Sequence, residues 1–379
     1  MRPIPNLQPF RAILAAAILF LPAALGLPAV APTPGSGAAW AAADPDTARA
    51  HRYYRQGLAF YGEGRFIEAL RQFQNSTFFD PEGSDVRFAQ GLCLLKLGEP
   101  AQAKTQFERA LARAPEHASA HYNLGLALIA LSDSTGARQH LMRASALAPA
   151  TPGVHRALAR LAEQSGDLSG AANELRNERV ASPDSAKTHA ELGRLLVLAG
   201  QPDSALVALD RAVALDPRLL DARIEQARAD EALARPFDAA AAWGAAAGLD
   251  STRADLRAAE GVALFKAGRA AEATPAFERA MRLDARDAKS AFNLGVAFEG
   301  LNREEEALNA YLAASARDSS YADPWLNRGS LLARLGRKSE ARGAFEHYLA
   351  LAPDSPRSAE VRRAIVALRG PARSPRKNR

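Results

Sequence analysis

The fold is decided by a stretch of 34 residues, 84–117, which reads SDVRFAQGLCLLKLGEPAQAKTQFERALARAPEH. Its pattern occurs nine times in succession without an insertion or a deletion. The nine periods begin at Ala50, Ser84, Ala118, Pro152, Ala186, Leu220, Ala254, Ala288 and Ala322, and the last ends at Ser355. A fixed period of this length is the signature of an architecture in which each repeat stacks on its neighbours.

Four places of the repeat carry characteristic residues, which in this stretch are Gly91, Ala103, Phe107 and Pro115. They stand at the eighth, twentieth, twenty-fourth and thirty-second places. Glycine inside a helix costs roughly 0.5–1 kcal/mol relative to alanine. Its recurrence therefore predicts that a second helix approaches closely through the alanine of the twentieth place. The large residue four places on shares that helical face and is expected to fill the space beside the contact.

The fifteenth place predicts a tight turn between two helices. It holds Asn302 in the eighth repeat and glycine in six others, namely Gly64, Gly98, Gly166, Gly200, Gly268 and Gly336. Both residue types tolerate the left-handed conformation that ends a helix. Proline at the thirty-second place then stops the second helix. Each repeat is therefore predicted to be a helix, a turn, a second helix and a short link.

This pattern resembles the tetratricopeptide repeat family over residues 50–355. Trp325 also stands at the fourth place, where family repeats often carry tryptophan. Three residues depart from the pattern: Glu178 at a usually small place, Asp230 at a usually apolar one, and Ser251 in place of proline. The resemblance implies an all-α fold, a right-handed superhelical solenoid of helix-turn-helix repeats. It also implies a concave groove, lined by the first helices, that binds a partner protein or peptide.

The two ends of the chain differ from the repeats. Residues 356–370 are predicted to form a capping helix, because Val361, Ile365 and Leu368 share one face. Residues 371–379 are predicted to be a disordered basic tail, and residues 44–49 a short linker.

Residues 1–43 are predicted to be a signal peptide with an alanine-rich cleavage region. Arg2 and Arg11 precede an apolar run at 12–21 that is too short to span a bilayer, and alanines at 41–43 precede Asp44. We expect an exported protein, in a bacterial periplasm or secreted, with no stable membrane span once the signal is cleaved. The alternative is an uncleaved segment that tethers a structural or assembly subunit of an envelope complex.

The formal net charge of +6 does not indicate a nucleic-acid partner. Two arginines of the predicted signal peptide and four cations of the predicted tail account for all of it, so the segment 44–370 is balanced. A nucleic-acid binder is expected to show a basic stripe on its folded domain. We therefore expect no nucleic acid among the partners.

The sequence contains no recognisable catalytic or cofactor motif, and we expect neither catalysis, nor a cofactor, nor a metal. His121, His155 and His189 recur at the fourth place of three successive repeats. Equivalent places on packed helices lie about 8–10 Å apart, so a structural role is favoured over a shared metal. Cys93, the one cysteine, is expected to be a small core residue.

Two sets of side chains on the first helices are candidates for a protein-binding groove. The sixth place holds Asn123, Asn293 and Asn327, and the ninth place holds Arg160, Arg194 and Arg228. An amide both donates and accepts, so the asparagines could hold a peptide backbone. The arginines could bind carboxylates, or they could pair internally as Arg160–Glu163, Arg194–Glu191 and Arg228–Glu225. Both interpretations stay open.

These observations favour an exported, non-catalytic scaffold for protein–protein interaction. Its partner, its pathway and its oligomeric state do not follow from the sequence.

Overall fold

The computed structural model describes residues 45–368, which form nineteen successive α-helices and no strands. The helices are α1 (Pro45–Gly62), α2 (Phe66–Phe79), α3 (Ser84–Lys96), α4 (Pro100–Arg113), α5 (Ala118–Ala130), α6 (Ser134–Leu147), α7 (Val154–Gln164), α8 (Leu168–Ala181), α9 (Ala186–Leu198), α10 (Pro202–Leu215), α11 (Leu220–Ala232), α12 (Pro236–Leu249), α13 (Ala254–Lys266), α14 (Ala270–Leu283), α15 (Ala288–Gly300), α16 (Glu304–Arg317), α17 (Asp323–Arg334), α18 (Lys338–Leu351) and α19 (Ser358–Leu368). The all-α prediction is confirmed. The predicted signal peptide and basic tail lie outside the described residues.

The helices keep the predicted phase. Second helices begin at Phe66 and then every 34 residues as far as Lys338. First helices begin at the predicted residue in six repeats. The largest difference is in repeat one, where α1 begins at Pro45 rather than Ala50. The segment 45–49, predicted as part of a linker, is therefore helical, and proline is well suited to a first helical turn.

All nine turns between paired helices share one backbone conformation. The residue at the fifteenth place has a positive φ in every repeat, including Ser132 at 63° and Ala234 at 54°. The next residue donates its N–H to the carbonyl five places earlier, as from Arg65 to Phe60 over 2.9 Å. This pattern is that of a Schellman motif. The sequence predicted seven of these left-handed residues and missed the serine and the alanine.

The two helices of a repeat meet through a glycine and a large side chain. A Cβ added to Gly91 would lie 2.4 Å from Cε1 of Phe107. The bare backbone of the first helix therefore receives the ring of the twenty-fourth place directly. This differs in detail from the prediction, which placed the alanine of the twentieth place at the closest contact. That alanine is nevertheless fully buried in all nine repeats.

The chain divides between Pro183 and Asp184 into two compact units. The first holds α1–α8 and has its core around Phe107, Leu124 and Leu141. The second holds α9–α19.

The core of the second unit is formed around Phe277 and Tyr311. At its end, Val361 and Ile365 of α19 pack in one apolar cluster with Phe345 of the last repeat. Within residues 45–368, no helix is both long enough and apolar enough to cross a membrane.

Candidate functional site

In each unit, the ninth and twelfth places of the first helices include partly accessible side chains, and we call these places the first-helix face of that unit. In the first unit its accessible members include Leu58, Tyr61, Leu126 and Ile129, all half-buried. These side chains carry no charge. The face of the first unit is therefore apolar in repeats one to three, whereas repeat four adds the charged Arg160 and Glu163.

The second unit presents a different first-helix face. It begins with Arg194 on α9 and Arg228 on α11, two helices that contact each other. It continues with Val262 and Phe265 on α13 and Val296 on α15. The side chain of Phe265 is 36% exposed, and its ring would lie 3.7 Å from a Cβ added to Gly300. Basic, acidic and apolar groups thus follow one another within this unit, the acidic ones being Glu231 and Glu299 at the twelfth place.

Arg228 and Arg194 act on one buried carboxylate, that of Glu225. Arg228 Nη1 lies 2.8 Å from Glu225 Oε1, and the arginine side chain remains 55% exposed. Burial raises the pKa of Glu225, while the charges of Arg228 and Arg194 lower it. The predicted internal pair of Glu225 with Arg228 is present. The charge of Asp221 acts on Glu225 in the opposite direction to the two guanidinium groups.

The third arginine of the predicted set, Arg160, is exposed in the first unit. It belongs to a different unit from Arg194 and Arg228. Arg160 and Arg194 each have interactions of their own. The arginine set is therefore not a row of unengaged cations.

Of the three predicted asparagines, one is buried and two are half-buried. Asn123 is 2% exposed, and its Nδ2 donates to the carbonyl of Ser119 in the same helix over 2.7 Å. Asn293 is half-buried. Asn327, also half-buried, donates from Nδ2 to Tyr311 Oη over 3.5 Å. Asn123 is thus bonded to its own helix, a local competition that is common for short polar side chains.

Asn327 belongs to a polar cluster around Tyr311. The Tyr311 hydroxyl donates to Glu299 Oε2 over 2.9 Å, and Arg334 Nη2 lies 3.0 Å from Glu299 Oε1. Burial raises the pKa of Tyr311. In repeat six, Trp243 Nε1 donates in the same way to Glu231 Oε1 over 3.0 Å. In both repeats the polar tip of the twenty-fourth residue is bonded to a glutamate at the twelfth place.

The histidines of the fourth place connect neighbouring elements. In repeat three, His121 Nδ1 lies 2.9 Å from His140 Nδ1. In repeat four, His155 Nδ1 lies 2.8 Å from Glu174 Oε2, and its Nε2 lies 3.1 Å from Ser145 Oγ of the preceding repeat. The fourth and twenty-third places thus pair across these hairpins. Sequence reasoning missed these partners.

His189, the third histidine of this place, is buried in the second unit and has interactions of its own. Across residues 45–368, no group of three His, Cys, Asp or Glu side chains is arranged to hold a metal ion.

Glu178, a departure from the repeat pattern, caps a helix. Its buried carboxylate accepts from Gly153 N over 2.8 Å and from Arg156 N over 3.3 Å, at the start of α7. These amides have no partner within the helix, and the helix dipole also favours a negative charge at this end. The departure thus has a structural reason.

Cys93 is fully buried, and burial raises the pKa of its thiol to about 12. A reactive cysteine would need the opposite shift. This agrees with the predicted role as a small core residue.

A recess with a volume of about 420 Å³ lies between α12 and α14 on the second unit. Its walls include the small residues Ala240, Ala241 and Gly244. Two of its charged side chains are already paired, Glu260 with Arg257 over 2.9 Å and Glu272 with Arg269.

Comparison with known proteins gives one family. Residues 54–103, 88–155, 156–219, 258–323 and 292–356 match the model of the tetratricopeptide repeat family. The gap between 219 and 258 holds repeat six, in which Asp230 and Ser251 depart from the pattern. No curated protein matches the chain.

Several solved structures are similar in part. The crystal structure of YrrB, described as a TPR protein with an unusual peptide-binding site, is 20% identical, with a TM-score of 0.45 over 51% of this chain and 99% of that one. PilF of Pseudomonas aeruginosa is 18% identical, with a TM-score of 0.49 over 56% and 97%. MamA is 22% identical, with a TM-score of 0.42 over 45% and 93%. At these identities the likeness concerns the fold and not the partner.

Proposed function

Because the chain belongs to the tetratricopeptide repeat family, we propose that it is a non-catalytic scaffold that binds a partner protein on its first-helix face. The observation that carries this proposal is the order of charged and apolar side chains along the first-helix face of the second unit. Arg228 is bonded to the buried carboxylate of Glu225, the charge of Arg194 also lowers the pKa of that carboxylate, and the partly exposed ring of Phe265 belongs to the same face.

The chemistry of this face defines the segment that would bind it. Guanidinium groups bind carboxylates through charge-assisted hydrogen bonds. Apolar side chains at Val262, Phe265 and Val296 would cover neighbouring aliphatic or aromatic groups of the ligand. The favoured ligand is therefore a peptide segment with an acidic residue near apolar ones. The half-buried Asn293 and Asn327 could add hydrogen bonds to its backbone.

Peptide display tests the proposal. The full chain is immobilised, a random displayed peptide library is selected on it, and the selected peptides are measured against variants. We expect acidic–apolar sequences, and at least about tenfold weaker binding to the Arg194→Gln, Arg228→Gln double variant, since the loss of even one charge-assisted bond of roughly 1.5 kcal/mol weakens binding about tenfold.

Arg235→Gln is the matched control. Arg235 lies in the same unit, is 48% exposed and pairs with Asp203 over 3.4 Å, but it stands outside the first-helix face. Binding that falls equally in the control and in the double variant would reject the basic part of the face. Selected peptides with no acidic residue would do the same.

We also propose that the partner is met outside the cytoplasm, because residues 1–43 have the pattern of a signal peptide. N-terminal sequencing of the natural protein tests this. A mature chain that begins near Asp44 supports export with cleavage. A chain that retains its first residues supports instead the membrane-tethered subunit of an envelope complex.

A further inference from the structure

Two histidines of repeat three are joined by a hydrogen bond between their rings. His121 on α5 and His140 on α6 face each other with their Nδ1 atoms 2.9 Å apart. Nε2 of His121 lies 2.9 Å from the carbonyl oxygen of Pro115. A carbonyl only accepts, so this Nε2 carries a hydrogen and the neutral ring has a bare Nδ1. His140 therefore donates its Nδ1–H to His121.

This arrangement tolerates one additional proton but not two. The first additional proton can bind to Nε2 of His140. The charged ring then still donates its Nδ1–H to His121, and this hydrogen bond is stronger than that from the neutral ring. A second must add to Nδ1 of His121, the atom that accepts the hydrogen bond. The bond is then lost, and two imidazolium N–H groups face each other with ring centroids 5.2 Å apart.

The surroundings of the pair are mixed in charge. Burial lowers the pKa of His140, and the charges of His121 and Lys104 act in the same direction, whereas Glu108 and Asp133 oppose it. Lys104 and Glu108 come from α4, where they pair over 3.7 Å, and Asp133 caps α6.

Further charged groups lie on or beside α6, among them Arg138 two residues before His140. Arg143 on α6 lies 3.4 Å from Glu116, and on the side of repeat four Glu174 is bonded to His155. These two carboxylates thus have partners other than the histidine pair.

We propose that His121 and His140 form an acid-sensitive latch, which holds α5 against α6 while the rings share one proton and opens when both rings are protonated. Opening loosens the helix that carries Leu126 and Ile129 of the first-helix face. The latch is a property of repeat three and does not depend on the proposed partner.

The neighbouring repeat supplies a natural comparison. Repeat four has Glu174 where repeat three has His140, and His155 bonds to it. In general, a nearby carboxylate favours the charged form of an imidazole. Repeat two has Gln106 at this place, and Arg87 Nη1 donates to it over 3.4 Å. The chain itself thus shows that glutamate and glutamine fit the twenty-third place.

Hydrogen exchange of the full chain tests the latch. Protection factors, corrected for intrinsic rates, are compared at about pH 7.5 and about pH 5 for peptides covering α5 and α6. In the wild type we expect protection to fall about tenfold more than in His140→Gln, which keeps a donor to His121 but does not titrate. His140→Glu should reverse the sign and gain protection in acid.

Equal losses in the wild type and in His140→Gln would overturn the proposal. A second measurement uses the wild type alone: the ring resonances of both histidines are followed by NMR from pH 8 to pH 4. We expect two separate steps for the coupled pair. Two independent titrations, each near the ordinary value of about 6.5, would also overturn it.

Discussion

The carboxylate of Glu178, near the end of α8, accepts a hydrogen bond of 2.8 Å from the amide of Gly153 at the start of α7. The second helix of repeat four therefore caps the first helix of the same repeat. The capping group comes from 25 residues further along the chain, which is why the residues around the helix start do not reveal it.

Glu178→Ala should lower the free energy of unfolding by about 1–3 kcal/mol, because it leaves buried amides at the helix start without an acceptor. Urea denaturation followed by circular dichroism measures the change. The control is Glu116→Ala, since Glu116 is 79% exposed and its pair with Arg143 should contribute less than about 1 kcal/mol. Equal effects of the two substitutions would contradict a capping role.

Ser132→Gly and Ala234→Gly should each stabilise the chain by about 0.5–1 kcal/mol. Both residues have a positive φ that glycine adopts without steric cost. Thermal unfolding of the single variants checks this. Ala232→Gly, inside the last turn of α11, should instead destabilise by a similar amount. A loss of stability at residue 234 would show that the methyl group matters more than the backbone.

Gly91→Ala and Gly343→Ala should have opposite signs. The new methyl at residue 91 meets the ring of Phe107, and overpacking costs about 1–3 kcal/mol. At residue 343, inside α18, it meets nothing within 4 Å, so about 0.5–1 kcal/mol is gained. Chemical denaturation of both variants compares them.

A second substitution tests the cause of the loss at residue 91. Phe107→Leu in the Gly91→Ala background should recover part of it, since repeat four combines Ala159 with Leu175 at the same two places. No recovery would mean that the ring is not the obstacle.

Asp230 should make repeat six less stable at neutral pH than in mild acid. Burial, with the charge of Asp238 adding to it, raises the pKa of Asp230 to about 6 from an ordinary 3.8. The folded chain therefore holds this proton more tightly than the unfolded chain. Stability from this group is present in acid and is lost as the pH rises from about 4 to about 6.

Asp230→Leu should raise the free energy of unfolding at pH 7 by about 1–2 kcal/mol. Repeats two and five already carry leucine at this place, as Leu94 and Leu196. The difference in unfolding free energy between variant and wild type, measured from pH 4 to pH 7, should grow with pH. A constant difference would show that Asp230 does not titrate in this range.

The phase of the repeats was predictable because it depends on residues close together in the chain. Gly98 ends one helix, Pro100 begins the next, and both act through their own backbone. The left-handed Ser132 and Ala234 were not predictable from residue type, because the stacked helices on either side impose a conformation that serine and alanine disfavour.

The candidate site was less predictable than the fold. The pair of Glu225 with Arg228 was foreseen because the two residues lie three apart on one helix. The burial of Asn123 and the partner of His121 were not, since they depend on how separate helices pack. The sequence analysis did not single out the apolar members Val262 and Phe265. Both stand at places of the repeat where other repeats carry charged residues.

The uniform turns also have a consequence for how the gene can change in length. Because each hairpin ends in the same bonded geometry, losing or duplicating a whole period of the gene would rejoin compatible ends, whereas any other change of length would misalign the helices that follow. Such a chain can lengthen or shorten between generations in steps of one module, and its family is expected to differ in module number more readily than in module size.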